Sequence, residues 1–154
     1  MNYLTIKTPI GNLLLVENNN FLTNIYFENE FPISTPHQKS TPILQQAQTE
    51  ILEYFDVKRR TFDVPINPKG GEFFQRIWKI MTSDKLPFGS TVTYGELAKL
   101  AGSPKGARAV GMANNKNPMP IIIPCHRVMG ASGKLTGFRW GIDVKKKLLE
   151  IEKL

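Results

Sequence analysis

The sequence predicts an α+β chain in two parts: a small sheet with one helix, then a mainly helical region. Three observations predict it. Apolar residues alternate with polar ones in short runs from Tyr3 to Phe27, the period of strands, whereas from Ile43 onward they recur at three and four, the period of helices. A breaker cluster, Asn67-Pro68-Lys69-Gly70-Gly71, then interrupts the chain where the charge balance changes sign. Residues 1–67 carry 5 Lys+Arg against 7 Asp+Glu, and residues 68–154 carry 15 against 6. We therefore place two domains, at 1–67 and 71–154.

The elements follow in order. Tyr3-Leu4 with Ile6, then Leu13 to Val16, then Leu22, Ile25, Tyr26 and Phe27 are separated by Thr8-Pro9-Ile10-Gly11-Asn12 and Glu17-Asn18-Asn19-Asn20, which predicts a three-stranded antiparallel meander. Ile43, Leu44, Ala47, Ile51, Leu52 and Phe55 lie on one face of a helix, and Phe62, Val64 and Ile66 read as a further short strand. Beyond the breaker, Phe73, Ile77, Ile80 and Met81 form a helical stripe. Thr93 with Glu96 makes a capping box for a helix carrying Leu97, Leu100 and Ala101. Ser103-Pro104 reads as the start of the next helix, through Ala107, Arg108, Ala109, Val110, Gly111 and Ala113. Two short helices joined by Ala101-Gly102-Ser103 are compatible with a helix-turn-helix. The small residues Ala107, Ala109, Gly111 and Ala113 suit either close approach to a ligand surface or a tight helix–helix contact.

Composition narrows the class. A hydrophobic fraction of 41% with 21% charged residues is that of a globular chain, not a disordered one. No apolar run approaches the ~20 residues that span a bilayer, and Met1-Asn2-Tyr3-Leu4 lacks a signal-peptide layout, so no membrane association is expected. The lone cysteine cannot make an internal disulfide, which points to a reducing cytoplasm. The formal charge of +7, concentrated in the second part, is a field that attracts polyanions, though a solubility bias gives the same number.

The chemistry lies in one stretch. Met119-Pro120-Ile121-Ile122-Ile123-Pro124 delivers Cys125-His126-Arg127-Val128, and the prolines favour an edge or irregular extended segment. Neighbouring positive charge or a hydrogen-bonded imidazole would lower the thiol pKa and favour the thiolate. Adjacent side chains on extended backbone point to opposite sides, so Cys125 and His126 would need a bridging water or a kink to communicate. A lone cysteine is also commonly a small buried hydrophobe, and a lone histidine a satisfied polar group. From the residues alone, the reading ends at a thiol enzyme on a DNA-binding domain.

Pro124-Cys125-His126-Arg127-Val128 resembles the active-site signature of the O6-alkylguanine-DNA alkyltransferases. Phe88-Gly89 with Thr93-Tyr94, Arg108-Ala109-Val110-Gly111, Asn117-Pro118 and Gly137-Phe138-Arg139-Trp140-Gly141 are similar to further blocks of that family, in its order and spacing. Thr8-Pro9-Ile10-Gly11 and the opening strands resemble its amino-terminal domain. The similarity covers essentially the whole chain, most densely Phe73 to Glu152.

The resemblance implies a ribonuclease-H-like first domain and a winged-helix-like, helix-turn-helix DNA-binding second domain. It implies repair by direct reversal: O6-alkylguanine, chiefly O6-methylguanine and on the same chemistry O4-methylthymine, is flipped from the duplex. Its alkyl group passes irreversibly to Cys125 in a single-turnover methyltransferase reaction. His126 would deprotonate Cys125 through a water, Glu152 would orient His126, Asn117 would brace the turn, and Tyr94 would turn the phosphate and donate to guanine N3. Glu152 also shares a helix face with Leu148 and Leu149, where a carboxylate needs a partner.

Arg108 would take the place of the extruded base, stacking as lysine cannot. Thr93, Ala107, Ala109 and Gly111 would meet the DNA. The expected partner is double-stranded DNA, bound by a monomer through the minor groove with little regard to sequence. Val128, Phe138, Arg139, Trp140 and Lys145 would form the guanine pocket, Phe138 departing from a tyrosine common in the family. Lys146 and Lys147 read as solvated charges, and His37 as a loop residue without a role. No metal or organic cofactor is implied, and Gly130 to Lys134 lacks the spacing of a phosphate-binding loop. Three rivals stay in view: a module that binds alkylated DNA without repairing it, a hydrolytic thiol enzyme, and a sequence-specific helix-turn-helix regulator.

Overall fold

The computed structural model describes residues 1–32, 38–133 and 138–153, so His37, Lys134 and Gly137 lie outside the described residues. The chain divides into two compact units, Met1–Lys69 and Gly70–Leu154.

In the first unit, β1 (Asn2–Thr8), β2 (Gly11–Asn18) and β3 (Phe21–Phe27) form an antiparallel sheet in the order β1-β2-β3, the meander that the alternation predicts. Asn18 pairs with Phe21, leaving Asn19 and Asn20 as a two-residue turn with φ of 52° and 67°. Positive φ at both positions matches the twist of the strands it joins, and asparagine tolerates that conformation. Leu13, Leu14, Leu15 and Val16 are all buried, so the central strand is covered on both faces. Helix α1 (Pro42–Phe55) starts at Thr41, whose hydroxyl accepts from the Leu44 N–H at 3.3 Å, and turns Leu44, Ala47, Ile51, Tyr54 and Phe55 inward.

The strand expected over Phe62, Val64 and Ile66 does not form; only a single parallel bridge joins Leu22 to Ile66. Two features of the segment explain this. Pro65 has no N–H to give a ladder. The Asp63 and Val64 N–H groups are taken instead by the buried Glu50 carboxylate, at 2.8 and 3.0 Å.

The second unit holds α2 (Glu72–Met81), α3 (Tyr94–Leu100), α4 (Ala107–Asn115) and α5 (Ile142–Glu152). Two short strands, β4 (Val92–Thr93) and β5 (Val128–Met129), pair in parallel. Trp78 on α2 is buried and donates its indole N–H to the Ala113 carbonyl at 2.9 Å, tying α2 to α4. Burying such a ring contributes about 3 kcal/mol. A Cβ on Gly70 would meet Trp78 at 2.5 Å, so the breaker glycine also makes room for the ring.

Thr93 and Glu96 form the predicted capping box. At the other end of α3, Gly102 has φ +75°, Ser103 N–H donates to the Ala98 carbonyl at 2.9 Å and Gly102 N–H to that of Lys99 at 3.0 Å. This is a Schellman stop, which only a left-handed residue closes cheaply. Ser103 does not start α4 as expected. It opens a turn in which the Gly106 N–H donates to the Ser103 carbonyl at 2.8 Å, and α4 begins at Ala107. A Cβ on Gly106 would lie 2.7 Å from Ser103 Oγ, so glycine permits the tight turn.

Among the described residues, no helix is long and apolar enough to cross a membrane.

Candidate active site

Cys125 sits on a short 3-10 turn, Cys125–Arg127, fed by the proline-rich run after α4. The expected extended segment is thus replaced by turns, and only Val128–Met129 is strand. Ile121 adopts φ +78°, a costly conformation for a β-branched residue. Asn117 holds the run in that shape: its Nδ2 donates to the Ile123 carbonyl at 2.7 Å and its Oδ1 accepts from the Met119 N–H at 2.9 Å. The Cys125 N–H donates back to Ile123 at 2.8 Å. From α4, Asn114 Nδ2 reaches the Cys125 carbonyl at 3.5 Å.

The next two residues converge on α5. Lys145, Leu148 and Glu152 are its buried residues, three and four apart, so one helix face presents a cation and a carboxylate to the turn. His126 Nε2 hydrogen-bonds to Glu152 Oε2. Arg127 donates to the same carboxylate from Nε at 2.8 Å and Nη2 at 3.2 Å, while its Nη1 donates to the Leu86 carbonyl at 2.8 Å. The Gly89 N–H adds a further bond to Glu152 at 3.1 Å. A buried carboxylate with this many donors is well compensated.

Electrostatics at the sulfur run against the expectation of a ready thiolate. Cys125 is 1% exposed. Burial pushes its thiol up to about 12, outweighing the Asn117 hydrogen bond and the Lys145 and Arg139 charges that favour ionisation. Desolvation also lowers His126, against the pull of Glu152. For Glu152 burial is opposed by the His126 and Arg127 contacts, and these win, holding the carboxyl at about 2. The resting cluster is therefore a neutral thiol, a neutral imidazole and a carboxylate. Since that carboxylate can only accept, Nε2 carries the imidazole proton and Nδ1 is the basic nitrogen.

Lys145 is buried, its Nζ donating to the Val128 carbonyl at 2.7 Å and lying 5.7 Å from the centre of the Phe138 ring. Burial lowers its pKa, partly offset by Cys125. Phe138 meets Trp140 edge to face at 5.2 Å, and the Arg139 guanidinium lies 5.0 Å over Trp140 and donates to the Asn115 and Asn117 carbonyls at 3.3 and 3.4 Å.

Residues 72–154 match the family model described as 6-O-methylguanine DNA methyltransferase, DNA binding domain, and residues 1–68 match its ribonuclease-like domain. The chain belongs to the 6-O-methylguanine DNA methyltransferase family. Relatives include the methylated-DNA–protein-cysteine methyltransferase of Methanosarcina mazei, 42% identical over 99% of this chain and 97% of that protein. That of Mycobacterium tuberculosis is 44% identical over 99% and 93%. A crystal structure of Mycobacterium tuberculosis OGT in complex with DNA superposes with a TM-score of 0.88 at 43% identity, covering 99% of this chain and 93% of that one. The two-part α+β architecture, a ribonuclease-like domain followed by a DNA-binding one, is thereby established.

Within this methyltransferase fold, the residues singled out from sequence divide into two sets. Cys125, His126, Glu152, Asn117, Val128 and Lys145 are buried together around the turn, with Phe138, Arg139 and Trp140 beside them. Val128 is wholly buried, and it meets this cluster through its carbonyl. Thr93 caps α3, Tyr94 is its first residue, and Ala107, Arg108, Ala109 and Gly111 lie on α4. Arg108 is exposed and Tyr94 half-buried, and among the described residues neither makes a hydrogen bond or ion pair to the Cys125 cluster. Lys146 and Lys147 are exposed, as solvated charges should be. Sequence reasoning missed Asn114 and the roles of Gly89 and Arg127. For Arg127 a signal existed: an inward carboxylate at Glu152 demands a cation, and Arg127 adjoins the histidine assigned to it.

Proposed function

We propose that this protein repairs O6-alkylguanine in DNA by irreversible transfer of the alkyl group, chiefly methyl, to Cys125, one group per molecule. The observation that carries the reading is the Cys125 turn itself. The turn of the chain's lone thiol is braced by Asn117, the Lys145 charge favours that thiol's ionised form, and an imidazole whose proton is held by Glu152 follows directly.

In this reading, duplex DNA docks on the α3–α4 face and engages the minor groove largely through its backbone. The base is flipped, Arg108 fills the gap in the stack, and Tyr94 and Thr93 order the phosphate at the head of α3. The small residues Ala107, Ala109 and Gly111 let α4 approach closely. The lesion displaces the side chains that cover the sulfur. As it docks, His126 Nδ1 takes up the thiol proton through a water. Sulfur attacks the alkyl carbon, the S–C bond forms, and the C–O6 bond breaks with its electron pair passing to guanine. Tyr94 protonates guanine N3 and recovers its proton from solvent. Lys145 and the Asn117 amide stabilise charge on sulfur as it develops. Val128, Phe138, Arg139 and Trp140 hold the base edge. The thioether product is not readily hydrolysed, so turnover ends there. We place this monomer in the cytoplasm, where its thiol stays reduced.

The test is duplex DNA carrying a radiolabelled O6-methyl group. Label passes to the parent protein, whereas Cys125→Ala takes none and still binds the duplex. Label released as free methanol would instead indicate hydrolysis, and DNA retaining all its label with intact reduced protein would reject repair.

A further inference from the structure

Asn114, near the end of α4, is 7% exposed, and the two ends of its amide are treated unequally. Nδ2 donates to the Cys125 carbonyl at 3.5 Å, whereas the buried Oδ1 accepts from no group among the described residues. An oxygen left unmet there bears its full desolvation penalty, and folded proteins satisfy such atoms with ordered water. Rotating the amide does not cure the problem, because Oδ1 would then face the Cys125 carbonyl, acceptor against acceptor. The acceptor therefore stays lodged beside the reacting residue.

The proposed reaction needs a bridging water near this residue. Successive side chains of a 3-10 turn leave it ~120° apart, so Cys125 and His126 diverge. Cys125 is 1% exposed, which keeps bulk water away. The charged groups around the turn are Arg127 within it, Glu152 and Lys145 from α5, and Arg139. Of these Glu152 can only accept and the other three only donate in their charged forms.

We propose that Asn114 is a positioning residue for the proton relay, its Oδ1 holding the water that connects Cys125 to His126. That water takes the proton from Sγ as it passes one of its own to Nδ1, leaving thiolate, imidazolium and an intact water. The inference rests on the alkyl-transfer reading above. It also gives α4 two duties, since the helix that presents Arg108 outward would position the relay inward.

Single-turnover methyl transfer from lesion duplex, followed between pH 6 and 10, tests it with Asn114→Leu, which keeps the volume and loses both polar ends. The expected result is transfer slowed roughly 10- to 100-fold at pH 7, less than the ~10²–10⁴ of losing the base itself, because His126 is still present. Its rate should climb about tenfold per pH unit, as direct thiol ionisation replaces the relay, with duplex affinity within about twofold of the parent. A parent-like rate and profile would overturn the inference, and so would a loss equal at every pH. If thermal melting shows that the leucine variant does not fold, Asn114→Ser and Asn114→Ala make the same comparison. Serine, which can hold water, must outpace alanine at pH 7; equal rates overturn the proposal. A parent that transfers no methyl to Cys125 removes the functional reading and this inference with it, whereas an active parent beside an unchanged variant removes the inference alone.

Discussion

At the scale of single residues, burial governs the chemistry more than proximity of charge does. Lys145 and Arg139 both favour a thiolate at Cys125, yet desolvation holds the thiol at about 12. A thiol that is neutral at rest must lose its proton during the reaction, so a nearby base sets the rate. Burial keeps His126 neutral at physiological pH, and its Nδ1 is the basic nitrogen because Glu152 fixes the proton on Nε2. The parent's transfer rate should therefore be flat from pH 7 to 9, where the imidazole is already the free base. His126→Gln should be slower by roughly 10²–10⁴ at pH 7 and should regain about tenfold per pH unit up to about pH 10. Stopped-flow transfer across that range checks it; a flat profile in the variant would show that His126 is not the base. None of this balance was legible in the sequence. Cys125, His126 and their basic neighbours could be read there, but how far the sulfur is from water is set by tertiary packing.

At the scale of elements, what could be read depended on whether the determining contacts were local. The capping box of Thr93 and Glu96, the stripe on α2 and the meander from Tyr3 to Phe27 rest on neighbours within a few residues, and all form as expected. The misread elements were decided by distant or steric partners. Glu50, thirteen residues away on α1, takes the N–H of Asp63 that a strand would have used. Ser103 has the identity of a cap, but the Schellman stop of α3 spends its N–H and a turn through Gly106 delays α4. Likewise Glu152 could be placed on a helix face with Leu148 and Leu149, and the family resemblance paired it with His126, whereas its bonds to Arg127 and Gly89 could not be read. Glu152→Gln should cost about 3–5 kcal/mol at neutral pH, since Arg127 is left buried without its countercharge. With the carboxyl held at about 2, below its ordinary value of 4.5, this stabilisation is complete above about pH 4.5 and lost as pH falls toward 2. Denaturant unfolding of parent and variant at pH 7, 5 and 3 should show the gap narrowing with acid; a gap that widens would contradict the assignment.

At the scale of the molecule, the two parts of the chain differ in charge and in duty. The excess of Lys+Arg over Asp+Glu lies wholly after residue 67, in the part that matches the DNA-binding domain of the family. Within it the exposed Arg108 and the buried Cys125 belong to separate surfaces joined through α4. Arg108 should therefore matter for extruding the base and not for the chemistry. Arg108→Ala is expected to slow transfer from a duplex by about tenfold or more while barely changing transfer from single-stranded DNA, whose bases need no extrusion from a paired stack. Equal losses on both substrates would assign Arg108 to general DNA affinity instead.

The most direct measurement is the mass of the intact protein after incubation with excess O6-methylguanine duplex, followed by peptide mapping. The protein should gain the mass of one methyl group and no more, carried on Cys125, with the guanine restored in the DNA. A repaired duplex in molar excess over an unmodified protein, or a methyl group on any other residue, would contradict the account.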